Sequence, residues 1–214
     1  MLLLGLALVA LAAAGSLGIV GLDIQRRDNV DFLLHDRRHL DRRHISETLD
    51  NLQSLYFANI TLGTPPQRLR MHLDTGSSDL WCNSPQSNLC SSRFRNCAVS
   101  GTYDSTASST YKLVNHGFNI SYVDGTGAVG DYVTDTLDIG GQTITDFQFG
   151  VGTRSSSPEG VLGIGYALNE VQVNRGGGSP YANLPQHMVN NGLIKSNAYS
   201  ESDLYCMTCG LLDL

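Results

Sequence analysis

Most apolar stretches of this chain alternate with polar positions at a period of two, the spacing that turns one face of a β-strand into a core and the other toward water. Tyr56-Phe57-Ala58-Asn59-Ile60-Thr61-Leu62 follows this pattern, and so do Leu69, Met71 and Leu73 set between Arg70 and His72. Gly63-Thr64-Pro65-Pro66-Gln67 separates the two runs with turn formers, which predicts a β-hairpin. A second hairpin is predicted where Phe118, Ile120 and Tyr122 alternate into Val123-Asp124-Gly125-Thr126-Gly127 and Tyr132 to Leu137 returns, because Asp-Gly between alternating runs favours a tight turn. Gly160-Val161-Leu162-Gly163-Ile164-Gly165 is apolar but punctuated by glycine, the mark of a buried strand with close backbone contact. Leu184 to Leu193, with Pro185 near its start and Gly192 near its end, predicts a short helix. The fold class expected is therefore all-β, mostly strands with a few short helices.

Two segments depart from this pattern. Leu2 to Ala14 is continuously apolar and small, ending in Ala12-Ala13-Ala14-Gly15, too short to span a bilayer and similar to a secretory signal over residues 1–14. From Asp23 to Arg43 the chain turns to charge, with Arg26-Arg27, Arg37-Arg38 and Arg42-Arg43 among Asp28, Asp31, Asp36 and Asp41. Such a stretch is not core material, and residues 15–43 are read as a propeptide with dibasic processing sites, Arg42-Arg43 being the last. His35, His39 and His44 have no metal-site spacing.

Composition narrows the function. The formal charge is -6 from 14 basic and 20 acidic residues. Six arginines and five acids fall in residues 1–43, so 44–214 carries -7 and is a poor partner for nucleic acid. With 41% hydrophobic residues and 23 glycines, the chain can bury a core built of strands and turns.

The chemistry concentrates in Asp74-Thr75-Gly76-Ser77-Ser78-Asp79-Leu80-Trp81, which follows the strand at 69–73. The strand delivers Asp74 to a turn where Thr75, Gly76, Ser77 and Ser78 bring N-H and O-H donors toward its carboxylate, keeping it ionised in acid. This octet, with Gly63-Thr64-Pro65-Pro66-Gln67 at its offset upstream, resembles the first catalytic loop of pepsin-like aspartic endopeptidases of the fungal secreted and yapsin-like type. The resemblance covers Tyr56 to about Ser200, and residues 44–200 are assigned as an N-terminal lobe of that bilobal fold.

The resemblance implies further roles. Asp74 is the catalytic carboxylate, and Thr75, Gly76, Ser77 and Trp81 support its loop. The hairpin at 118–137 is the flap over the cleft, with Tyr122 meeting the indole N-H of Trp81 and Asp124, Gly125 and Thr126 facing substrate. Val123 stands where the family usually has glycine. Asp124 resembles the flap carboxylate that admits Lys or Arg before the scissile bond in fungal relatives; it also reads simply as the turn residue before Gly125. Val161-Leu162-Gly163 is the segment that crosses behind the catalytic loop.

Cys90 and Cys97 enclose six residues, which predicts a small disulfide loop in an oxidising compartment, and related fungal proteases have one in this region. Cys82 is either buried as a small hydrophobe or paired with Cys206 or Cys209. Asn59-Ile60-Thr61 and Asn119-Ile120-Ser121 are glycosylation sequons. No cofactor and no metal is expected; protein and peptide substrates are the expected partners. The expected location is secreted or extracellular, with the cell surface and the vacuole as alternatives.

Past Ser200 the resemblance stops. Residues 201–214 do not match the interlobe strand that should follow, and the sequence holds a single Asp-Thr-Gly. A truncated gene model, a retained intron or a frameshift is the expected cause. Aspartic endopeptidases use two carboxylates sharing one proton, so three readings stay open: an acid protease represented by its first lobe, a non-catalytic peptide-binding module, and a homodimeric half-enzyme that rebuilds the dyad as retroviral proteases do. Self-association through the exposed interlobe face is expected in each case.

Overall fold

The computed structural model describes residues 21–26, 49–52, 55–92, 97–175, 177–202 and 209–213. The signal segment, Arg42-Arg43 and Cys206 lie outside the described residues.

The chain is built on strands, as its alternation predicts. Strands β1 (Gly21–Arg26), β2 (Leu49–Leu52), β3 (Leu55–Leu62), β4 (Gln67–Asp74), β5 (Leu80–Asn83), β6 (Lys112–Ser121), β7 (Gly127–Ile139), β8 (Gln142–Ser155), β9 (Gly160–Gly163), β10 (Ser200–Ser202) and β11 (Cys209–Asp213) form one sheet. Its order is β10-β11-β1-β2-β3-β4-β9-β5-β8-β7-β6, and β3 also pairs with β7 through Thr61↔Asp138 and Leu62↔Leu137. That extra pairing closes β3, β4, β9, β5, β8 and β7 into a ring, so six strands have no free edge. The hairpin partner β6 is left flanking β7.

The first hairpin is β3 against β4, with Ile60 opposite Leu69 and Ala58 opposite Met71. Along β4 the alternation holds residue by residue: Leu69, Met71 and Leu73 are buried while Arg70, His72 and Asp74 are half-exposed. Inside the ring, Leu62, Met71, Leu137, Phe147, Phe149 and Leu162 pack as one core. A second cluster joins Trp81, Phe118, Ile120, Ala128, Tyr132 and Val161 beneath the β6–β7 hairpin.

Among the described residues two short α-helices interrupt the strands. Helix α1 (Val171–Asn174) is a single turn, and α2 (Leu184–Asn190) starts at Asn183, whose side chain accepts from the Gln186 N-H, with Pro185 in its first turn. The chain leaves α2 through Gly192 at φ +68°, a left-handed conformation that glycine adopts without strain. α2 occupies the predicted place, three residues shorter than the sequence pattern suggested.

Cys90 and Cys97 are joined by a disulfide. Cys82 is free and fully buried, the first of the alternatives its sequence context left open, and burial pushes its thiol well above the ordinary range. The charged stretch read as non-core contributes β1, which pairs with β2 and with β11; β10 and β11 belong to the tail that no motif matched.

Candidate active site

Asp74 is the last residue of β4, where the strand gives way to the turn 75–79. Behind it runs β9, parallel to β4, with Leu162 beside Leu73 and Gly163 beside Asp74. The Ile164 N-H donates to the Asp74 carbonyl at 3.0 Å, the Gly163 N-H to the Asp79 carbonyl at 3.1 Å, and the Gly165 N-H to the Ser77 carbonyl at 2.8 Å. A Cβ on Gly163 would lie 2.7 Å from the backbone nitrogens of Ser78 and Asp79, so contact this close requires glycine. Val161, Leu162 and Gly163 therefore sit directly against the loop that presents Asp74.

One donor reaches the Asp74 carboxylate among the described residues, the Gly76 N-H at 2.8 Å. The hydroxyls of Thr75, Ser77 and Ser78 do not join it: Thr75 is exposed, and the Ser78 hydroxyl donates to the Tyr166 carbonyl at 2.7 Å. The three backbone bonds from Gly163, Ile164 and Gly165 fix the loop in a path that turns these side chains elsewhere.

Above the loop, Trp81 is fully buried and its Nε1-H donates to the Tyr122 hydroxyl at 2.8 Å. Burial is the main cause pushing the Tyr122 phenol upward, so its hydroxyl stays protonated across the useful pH range. Tyr122 begins the β6–β7 turn rather than lying at its tip. Its N-H donates to the Thr126 carbonyl at 2.8 Å and its carbonyl accepts from the Gly125 N-H at 3.1 Å. Gly125 takes φ +84°. The turn is longer than the two residues that Asp-Gly suggested, and fits the three-residue class closed by a left-handed glycine. Asp124 is exposed and its Oδ1 accepts from the Thr126 N-H at 2.8 Å and hydroxyl at 2.7 Å. Those two bonds hold its carboxyl below the usual range. Val123 is fully exposed.

Between hairpin and loop lies a cavity of about 310 Å³, with Gly76, Ser77, Tyr122 and Val123 on two sides and Val171 and Arg175 of the α1 region on a third. Arg175 bridges the opening, donating from Nη2 to the Ser121 hydroxyl at 2.5 Å and carbonyl at 3.3 Å. A second cavity, about 420 Å³, is bordered by Thr75, Tyr166 and Tyr199. A larger depression of about 590 Å³ over Arg68, Arg70 and Asp138 includes neither the Asp74 loop nor the turn of the β6–β7 hairpin. No group of three or more potential metal ligands occurs among the described residues.

Sequence reasoning passed over Asp79, Glu170 and Tyr181. Asp79 is 1% exposed and accepts from the hydroxyls of Tyr132 (3.1 Å) and Tyr181 (2.9 Å) and from the Val171 N-H (2.8 Å). The one available signal was a carboxylate abutting Leu80-Trp81-Cys82, a run too apolar to leave its neighbour in water.

A closed strand ring carrying an Asp-Thr-Gly loop, backed by a hydrophobic-hydrophobic-Gly strand and faced by a tyrosine hairpin, is the architecture of a pepsin-like N-terminal lobe. Residues 55–204 match the family described as eukaryotic aspartyl protease, and the chain belongs to that family. It is 63% identical over 183 residues to the probable aspartic-type endopeptidase opsB of Aspergillus oryzae, covering 85% of this chain and 38% of that protein. It is 40% identical over 156 residues to the acid protease of Saccharomycopsis fibuligera, covering 73% of this chain and 38% of that protein. Secreted aspartic protease 3 of Candida albicans is 37% identical over 165 residues, 76% of this chain and 40% of that protein. The chain thus spans well under half the length of these relatives.

Proposed function

We propose that these 214 residues are the first lobe of an acid-acting aspartic endopeptidase, with Asp74 supplying one carboxylate of the catalytic dyad. The observation that carries the reading is the Trp81–Tyr122 hydrogen bond, which ties the hairpin down beside the loop presenting Asp74. In this reading Thr75, Gly76, Ser77 and Trp81 support the loop, and Val161, Leu162 and Gly163 back it. Tyr122, Asp124, Gly125 and Thr126 form the flap that closes over an extended peptide. Asp74 acts as base toward a water while a second carboxylic acid, contributed by a partner lobe, protonates the peptide carbonyl. No metal takes part.

The test joins this chain to a second lobe carrying its own Asp-Thr-Gly or Asp-Ser-Gly and follows cleavage of a peptide in acid. Asp74→Asn should lower the rate at least about 10²-fold, the scale of a lost acid–base group. Unchanged hydrolysis in that variant would remove Asp74 from the mechanism.

Self-association through the interlobe face is a second proposal, supported by exposed Tyr166 and Leu168, with Tyr166 and Tyr199 bordering the cavity beside Thr75. Secretion is proposed from the 1–14 segment together with the name of the Candida relative, and processing at Arg42-Arg43 with it. No helix among the described residues is long and apolar enough to cross a membrane. Asn59 and Asn119 are both exposed, which suits glycan attachment. N-terminal sequencing of secreted protein and an endoglycosidase mobility shift check these assignments.

A further inference from the structure

Asp79 and Glu170 are two acids buried in the same place. Asp79 is 1% and Glu170 0% exposed, and both meet Tyr181: its hydroxyl donates to Asp79 Oδ1 at 2.9 Å and its backbone N-H to Glu170 Oε2 at 2.8 Å. Val171, next in sequence to Glu170, gives its N-H to Asp79 Oδ2. Asp79 therefore has three donors, and neither of its oxygens is bare. Glu170 has one donor, and its Oε1 is buried with no partner at all. No base among the described residues bonds either group. Two negative charges so placed would repel each other without compensation, while a proton on the under-bonded member relieves both costs.

We propose that Asp79 and Glu170 hold one proton between them, resting on Glu170, and that its loss to solvent detaches the segment 170–181 from the loop that carries Asp74. The segment is attached to that loop through Asp79, so a change in the pair is felt on both sides. The groups facing the pair are Tyr122 from the β6–β7 turn, Tyr132 from β7, Tyr181 from the chain after α1, and Arg175, which lines the same cavity as Asp79 but bonds to Ser121. Burial pushes all three phenols well above their ordinary range, leaving them protonated throughout. Burial also raises both acids, and Glu170, with Asp79 adding to the effect, is pushed up to about 8. The folded state then binds a proton that the unfolded state, with an ordinary Glu near 4.5, has released. This contribution is complete in acid, declines as pH rises past the unfolded value, and is gone above the folded one. The segment is thus held in acid and at neutral pH and released in mild alkali, and this stands independently of the proteolytic reading.

Trp81, the single tryptophan, packs on Phe118, which packs on Tyr132 and through it on Tyr181, so its emission reports on this corner. In the 214-residue chain, emission should change with pH in a one-proton step near 8, with amide protection of Val171 and Tyr181 lost in the same step. Glu170→Gln, whose amide oxygen still accepts from Tyr181, should abolish the step. Asp79→Asn should move it to lower pH, because a neighbouring negative charge is gone. Absence of the step, its survival in Glu170→Gln, or an unshifted midpoint in Asp79→Asn would overturn the proposal. If the variants fail to fold, infrared spectroscopy of the unaltered chain decides: a carbonyl band of a buried protonated carboxyl at neutral pH, lost in the same step, is expected, and no such band refutes it. None of these measurements depends on peptide hydrolysis.

Discussion

Asp135 shows how a single side chain can tie a long loop to a strand. It is 1% exposed in β7, yet its oxygens accept from the Tyr103 hydroxyl and the Thr110 hydroxyl, each at 2.5 Å, and from the Thr136 N-H at 2.8 Å. Burial pushes this carboxyl up, but bonds from Ser108, Thr110 and Tyr103 outweigh it and the group stays below the usual range. A depressed folded value contributes stability above the ordinary carboxylate range, and that stability is lost as pH falls through the folded value. Tyr103→Phe should cost about 1.5–3 kcal/mol in urea unfolding near neutral pH, the scale of a hydrogen bond to a buried charge. The loss relative to the unaltered chain should shrink in strong acid, where Asp135 is protonated in both. A cost independent of pH would mean that the Tyr103 ring, which packs edge-on to Phe149, carries the effect instead. The Trp81–Tyr122 bond is a neutral pair, so Tyr122→Phe should cost only about 1 kcal/mol while shifting Trp81 emission, since the indole N-H is left buried without its acceptor.

At the scale of elements, the β6–β7 hairpin carries the question of specificity. Asp124 does two things that substitution separates: Oδ1 receives both Thr126 donors and so closes the turn, while the carboxylate places a negative charge on the exposed tip. In a complete two-lobed enzyme, Asp124→Asn keeps an oxygen for Thr126 and removes the charge, so cleavage after Lys and Arg should fall selectively. Asp124→Ala removes the turn acceptor as well and should lower cleavage of all substrates. Equal losses in the Asn variant on cationic and apolar substrates would leave Asp124 as a turn residue only. The hairpin and the β3–β4 pair were legible because one face of each is buried, which imposes alternation, and the 160–163 strand because both its faces are, which imposes an apolar run. β8 was not read as a strand although Phe147, Phe149 and Val151 alternate along it; Gly150 and Gly152 fill the intervening positions in place of polar side chains, and Gly150 is there because the Phe118 ring occupies the space a Cβ would take, 2.5 Å away. Helix α1 is four residues long, too short for a period to appear. The Asp79 pair was illegible for another reason: its partners Tyr132, Val171 and Tyr181 lie 53 to 102 residues away, and only the closed ring brings them together.

For the whole molecule the decisive quantity is the number of carboxylates that meet at the cleft. This sequence contains one Asp-Thr-Gly, and four acids that the fold holds firmly are engaged elsewhere: Asp79 with its two tyrosines and Val171, Asp104 capping a short helical turn, Asp135 in its buried network, Asp138 with Thr61 and Thr143. In the proposed reading Asp74 takes a proton from water, and among the described residues no carboxylic acid stands beside it to give one to the carbonyl oxygen as the tetrahedral intermediate forms; without a second carboxylate there is no shared proton to hold one group neutral. Expressed as these 214 residues, the monomer should not hydrolyse peptides. Tyr166 and Leu168 stand 73% and 67% exposed close to the Asp74 loop, so association is expected, and its geometry determines the outcome. Dimers that bring two Asp74 side chains face to face should give activity rising with the square of concentration at high dilution and vanishing in Asp74→Asn. Dimers of any other arrangement should be inactive at every concentration, as should the Tyr166→Ser, Leu168→Ser double variant, which weakens the face. Sedimentation alongside an acid peptide-cleavage assay separates these cases. Robust acid proteolysis that is linear in protein concentration, from material shown to be monomeric and free of other proteases, would require a proton donor that this site does not hold.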